Sequence, residues 1–205
     1  MSGTSPLQIA ADTMEKIFGT SHQVPNDRHS FDCYFPSQFL GEKRSYALDV
    51  LWNPTHHTLF VSLGLSFDLS TVDKSIGQLC KVLGRSAKAF LDGDKGASLD
   101  FLLWRQSDGE IMPCVETTID YAPLENDEIE REFAASFLQA LFMLEILGPV
   151  FEQIELGYLP GPRERMRSMM VAYGFWETNI ALEFSNGRTR LPPGLFGGIK
   201  ELRLQ

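Results

Sequence analysis

The chain is poor in the residues and motifs that usually mark catalysis. Its 205 residues include three cysteines and four histidines. Cys33, Cys80 and Cys114 stand far apart, with no Cys-x-x-Cys pair and no histidine at metal-ligand spacing. They read as reduced thiols that behave as small buried hydrophobes. There is no Gly-x-Ser-x-Gly, no His-Glu-x-x-His and no serine or cysteine nucleophile with a neighbouring base. The Gly-Leu-Phe-Gly-Gly run at residues 194–198 fits no phosphate-binding fingerprint. No catalytic residue, cofactor or metal is therefore assigned, which moves the reading from enzyme toward binding protein.

Positive charge is also scarce. A net charge of −9 argues against nucleic acid, whose phosphates need a concentrated basic surface, and against docking on an anionic membrane. The most apolar stretch is interrupted by Gln139 and Glu145 and lacks about 20 uniformly apolar residues, which disfavours a membrane span. The opening Met-Ser-Gly-Thr-Ser-Pro has no basic region followed by an apolar core, so no secretory signal is expected and a cytoplasmic location is predicted. No internal repeat is evident.

What is present is clearest over residues 99–153. A strand at 99–104 and another at 111–121 flank Asp108-Gly109, where glycine supplies the positive φ of a tight hairpin. In the second strand Ile111, Val115, Ile119 and Tyr121 share one face, predicted dry, while Glu116, Thr118 and Asp120 share the other. Pro113 lacks an N–H, which predicts a sheet edge or a bulge. Asp127 with Glu130 three residues later has capping-box spacing and should open a helix. That helix carries Phe133, Phe137, Leu141, Phe142, Leu144 and Leu147, more than one stripe requires. It should be covered on two sides, by a sheet and by either the chain's C-terminal segment or a second copy.

Upstream, Leu7, Ala10, Met14 and Ile17 predict an amphipathic helix ended by Gly19. Residues 20–43 read as a long loop with at most one short strand. Tyr46, Leu48, Val50 and Trp52, then Leu59, Val61, Leu63 and Leu65, predict a hairpin turning at Asn53-Pro54-Thr55-His56-His57. Ser70 opens a second amphipathic helix that reaches about Arg85, and residues 92–96 form a turn. Residues 175–185 are expected to form a further strand. Residues 191–205, rich in Gly and Pro yet apolar, are expected to lie across a groove on this subunit or another.

Three groups invite a chemical reading. His56 and His57 are adjacent, so on a strand they would face opposite ways; they read as a polar turn. His22 and His29 lie in the irregular segment and would need a fold-back to join them. Asp92, Asp94, Asp100, Asp108 and Glu110 cluster around turns without calcium-loop spacing, and turn chemistry accounts for them. Arg163, Arg165 and Arg167 form a small basic cluster, diluted by Glu164, that suits an acidic partner or a neighbouring subunit.

The assembled order, α-β-β-(β)-α-β-β-α with a C-terminal extension, predicts an α+β fold. It resembles the YbjN family and the type III secretion chaperones. The resemblance is carried by Ser-Leu-Asp-Phe-Leu-Leu-Trp-Arg-Gln-Ser-Asp-Gly-Glu-Ile at residues 98–111, the strand and Pro-containing connection at 117–123 and the helix from Glu125. It covers residues 5–153 as topology and about 90–150 as local pattern. The resemblance implies an antiparallel sheet covered on one face by helices, homodimerisation, and a non-enzymatic chaperone or adaptor that holds a partner polypeptide. Residues 157–205 have no counterpart, so the division expected is a chaperone-like α+β domain at 1–156 and an extension at 157–205 packing on the domain or on a partner subunit. The expected partner or dimer surface comprises Leu102, Trp104, Phe133 and Phe137, with Arg163, Arg165 and Arg167. Plain core is the competing role for the apolar four. Two other classes stay open: a ligand-sensing or enzymatic domain built from scattered groups such as His56, Asp100, Arg105 and Glu116, and a structural subunit using its tail as an arm.

Overall fold

Alternation of apolar and polar side chains with a period of two builds the sheet, and one dense helix closes it. The computed structural model describes residues 4–18, 29–37, 41–69, 81–85, 99–105 and 111–185. Its elements are α1 (Pro6–Phe18), β1 (Ser30–Ser37), β2 (Gly41–Asn53), β3 (Thr58–Leu65), β4 (Asp100–Arg105), β5 (Ile111–Asp120), α2 (Asn126–Glu155) and α3 (Pro162–Ser185). Residues 81–85 are also helical. The strands form one antiparallel sheet in the order β1-β2-β3-β5-β4. The fold is α+β, in the element order expected.

On the inner face, Cys33, Leu48, Leu63, Val115 and Phe101 line up across all five strands. α1 and α2 pack on that face: Phe35 of β1 meets Phe137 at 5.9 Å, and Phe101 of β4 stacks on Phe151 at 6.0 Å. The start of α1 is set by Ser5, whose hydroxyl accepts the Gln8 N–H at 3.1 Å, with Pro6 preset for the first helical position. The capping box of α2 is built from Glu125 and Glu128 rather than from Asp127 and Glu130. Glu128 reaches back to the Glu125 N–H at 3.0 Å, two residues earlier than the spacing predicted. At the other end Gly157, at φ 80°, allows the Gly157 N–H to reach Ile154 and the Tyr158 N–H to reach Gln153, a Schellman stop.

By length and composition α2 could cross a membrane, but 78% of its most apolar window is buried within the chain's own fold, as in the core helix of a globular protein. Its far side is covered by α3. Phe142 of α2 meets Tyr173 at 6.1 Å and Trp176 at 5.7 Å, and Gln153 donates to the Ser168 hydroxyl at 3.1 Å. Of the two coverings expected for this helix, the one present is the chain's own C-terminal segment.

Several expectations need correction. Residues 175–185 are helix, not strand. Met169, Ala172, Tyr173 and Trp176 recur at helical spacing against α2, and that stripe carries the helix through the residues whose alternation suggested a strand. Residues 30–37 form a full strand and β2 begins at Gly41, so the 20–43 segment is less loop than expected. β5 is an interior strand, yet Pro113 is tolerated there because the last β3–β5 pair is Gly64–Cys114. Pro113 points its backbone the same way as Ile111, whose carbonyl accepts the Leu69 N–H at 2.9 Å beyond the end of β3. The turns at 92–96 and 106–110, helix residues 70–80, and the tail 191–205 lie outside the described residues.

One ion pair ties the end of α2 to the sheet. Arg44 pairs with Glu155 while its guanidinium lies 4.1 Å over the Phe67 ring, and Glu155 also accepts the Asp68 N–H at 2.9 Å. Because Glu155 serves two donors, Glu155→Ala is expected to lower unfolding free energy by about 2 kcal/mol in urea denaturation. Unchanged stability would show the pair to be dispensable.

Candidate functional site

Each strand that sends apolar residues inward sends its alternate residues to the opposite face, and no described helix lies over that side. Three rows cross this outer face. Tyr34, Ala47, Gly64, Cys114 and Leu102 form one; Asp32, Asp49, Ser62, Glu116 and Asp100 form the next; Ser30, Leu51, Phe60 and Thr118 form the third. Tyr34 is 72% exposed, Leu51 50% and Leu102 38%, so large apolar side chains are open to solvent on three of the five strands of this face; others, including Met166, Met170 and Val171, are exposed on α3.

The middle of the face is drier than its margins. The Trp104 indole donates to Glu116 Oε1 at 2.9 Å across two residue rows, and Met112 lies against Gly64, whose hydrogen leaves room for the thioether. Beneath them Cys114 is fully buried. Burial first, then the Glu116 charge, pushes its thiol up to about 12. Cys33, on the inner face, is pushed up to about 12 by burial and by the charges of Asp32 and Asp49. Neither thiol is reactive at neutral pH. Cys80 lies outside the described residues.

The structure separates the residues expected to act together. Leu102 and Trp104 lie on the outer face. Phe133 and Phe137 are fully buried between α2 and the rest of the core, so in this arrangement they offer no surface to a partner. Arg163 and Arg167 are exposed on α3, while Arg165 points away from them and donates to the Pro160 carbonyl at 3.0 Å, so the cluster is not one patch. Next to it Glu164 accepts the Gly161 N–H and the Tyr158 hydroxyl, which hold its carboxyl below the usual range.

The scattered polar groups do not converge either. Asp100 and Glu116 are cross-strand partners, but His56 is exposed in the β2–β3 turn, and Arg105 ends the opposite end of β4. Asn53 accepts the Thr55 and His56 N–H groups, and His57 takes φ 54° with its ring 5.8 Å from Tyr121, so the histidine pair forms a turn as expected. His29 is exposed with its ring 5.5 Å from Trp52; His22 is outside the described residues. Asp92, Asp94, Asp108 and Glu110 are outside them too. Among the described residues no three His, Cys, Asp or Glu side chains come together to hold a metal. One buried polar cluster remains: Ser37 donates to Glu145 Oε1 at 2.9 Å inside the core, and burial together with the Glu145 charge holds the Tyr46 phenol well above its ordinary range.

Sequence reasoning missed Tyr34, Leu51 and Phe60. For Tyr34 a signal existed, since Phe31, Cys33 and Phe35 alternate with Asp32 and Tyr34, but Pro36 and the polar residues before it suggested loop. No family model matches the chain, and no curated protein matches it. A solved structure described as "Crystal Structure of the ExsC-ExsE Complex" is similar at 12% identity over 68% of this chain and 88% of the other, with a TM-score of 0.45.

Proposed function

We propose that the protein is a non-enzymatic chaperone or adaptor that holds a partner polypeptide on the outer face of its sheet. The observation that carries this reading is the set of exposed apolar residues, Tyr34, Leu51 and Leu102, on a face that no described helix covers. Water contact with such side chains is unfavourable, and complete burial of one under a partner contributes roughly 1.5–3 kcal/mol. The sheet beneath is rigid, because its inner face is anchored by two helices, so a partner would meet a preformed surface. Homodimerisation belongs to the same proposal, as a way to present two such faces to one client.

The test is recovery of partners from the native host with the wild-type chain and with a Tyr34→Ser, Leu51→Ser, Leu102→Ser variant. These positions are open to solvent, so stability should change little. The wild type is expected to retain a polypeptide in stoichiometric amount and the variant to lose it. Recovery of no polypeptide, or equal recovery by both chains, would contradict the reading.

A further inference from the structure

The register of the sheet brings together four carboxylates that are far apart in the chain. Asp32 stands opposite Asp49, Asp49 opposite Ser62, Ser62 opposite Glu116, and Glu116 opposite Asp100. They form one straight row across the outer face, about 19 Å long at a strand spacing of about 4.8 Å. Asp32–Asp49 and Glu116–Asp100 are like-charge pairs set directly opposite each other, an arrangement that costs stability. None of the four has a described ion-pair partner. Burial and the charge of Asp32 hold the Asp49 carboxyl above its ordinary value.

At the midpoint of the row the Ser62 hydroxyl is fully buried. It lies near the Cys114 thiol but makes no hydrogen bond of normal geometry. Closed to solvent, it leaves an uncharged gap between the two carboxylate pairs, which stand on either side of it. Tyr34 and Leu102 flank the row on one side, and Leu51 and Phe60 on the other. The carboxylates are spread along a line and do not converge, which is the wrong shape for a single cation but matches an elongated basic ligand.

We propose that the occupant of this face is a polypeptide segment carrying lysine or arginine side chains with apolar residues between them, the acidic row selecting it by charge. This rests on the docking face proposed above and adds the chemical class of the partner. Nucleic acid and anionic lipid are repelled by the same row.

Fluorescence anisotropy with a short labelled peptide of alternating lysine and leucine tests it, a glutamate–leucine peptide serving as the comparison. The row variant is Asp32→Asn, Asp49→Asn, Asp100→Asn, Glu116→Gln. A charge-matched variant changes Asp12→Asn, Glu15→Gln, Glu132→Gln and Glu152→Gln, exposed carboxylates of α1 and α2. The wild type is expected to prefer the lysine peptide, the row variant to bind it about tenfold or more weakly, and the matched variant to lose less than about twofold. Equal losses in the two variants, or no preference by the wild type, would overturn the proposal. The row variant should melt at or above the wild-type temperature because repulsion is removed; a lower temperature would mean that the carboxylates serve the fold, and would also overturn it. If the row variant still captures the host partner while the apolar variant does not, the docking face stands and its selection by charge fails. If neither variant affects capture, the docking face itself fails.

Discussion

Phe137→Ala is expected to remove about 3–5 kcal/mol of unfolding free energy, measured by urea or thermal denaturation. Phe137 is fully buried, 5.9 Å from the Phe35 ring on the sheet and 6.4 Å from Phe133 on the same helix. Truncation leaves a cavity at the junction of α2 and β1, where both elements are held in place by the rest of the core and cannot close around it. Leu102→Ala, on the outer face, should cost less than about 1 kcal/mol. The contrast matters for function because both residues are candidates for partner contact from sequence. If Phe137→Ala left stability within about 0.5 kcal/mol of wild type, the ring would not be core and the placement of α2 against the sheet would be wrong.

Stability is expected to fall steeply between pH 9 and 12. Cys33 and Cys114 have thiols raised from 9.0 to about 12 in the folded chain. An acid whose folded pKa is raised favours the folded state fully below its unfolded pKa, and that contribution is lost as pH rises through the folded value. Each thiol contributes a slope of up to about 1.4 kcal/mol per pH unit across this window, on the order of 4 kcal/mol at most for each. Tyr46, whose phenol is raised by burial and by Glu145, shifts stability the same way above its ordinary range. Denaturation midpoints of the wild type, Cys33→Ala and Cys114→Ala from pH 8 to 11 check this. Each alanine variant should show a shallower alkaline decline, and an unaltered slope in both would mean that the thiols titrate freely in the folded protein.

Local rules made some of this fold legible and hid the rest. The β2–β3 hairpin could be read because Tyr46, Leu48, Val50 and Trp52 alternate up to an Asn-Pro turn. α2 could be read because its apolar density exceeds one face. The end of α3 misled because Trp176, Ile180, Leu182 and Phe184 fall at even spacing, while its packing stripe lies upstream at Met169, Ala172 and Tyr173. β1 was obscured by Pro36, which sits at a register shift near the end of the strand, where a missing N–H is tolerated.

The site was less legible than the fold for a physical reason. Leu102 and Trp104 could be singled out as surface candidates because they belong to a visible hairpin. Their neighbours on the outer face come from strands distant in sequence, and only the antiparallel register places Tyr34, Leu51 and the four carboxylates beside them. A one-residue slip in any strand would send its members of that set to the core, so the composition of this face depends on register alone. Phe133 and Phe137 show the converse: apolar density marked them as candidates, and burial against each other and against Phe35 of the sheet makes them core.

Site-specific photo-crosslinking in the native host tests the central claim most directly. A crosslinking residue placed at Leu51 or Leu102 on the outer face, and in separate chains at Met170 on the exposed side of α3 or at Glu132 on α2, would report where a partner lies. The account predicts polypeptide crosslinks from Leu51 and Leu102 and none to the same partner from Glu132 or Met170. Crosslinks confined to Met170 or Glu132, with Leu51 and Leu102 silent, would contradict it.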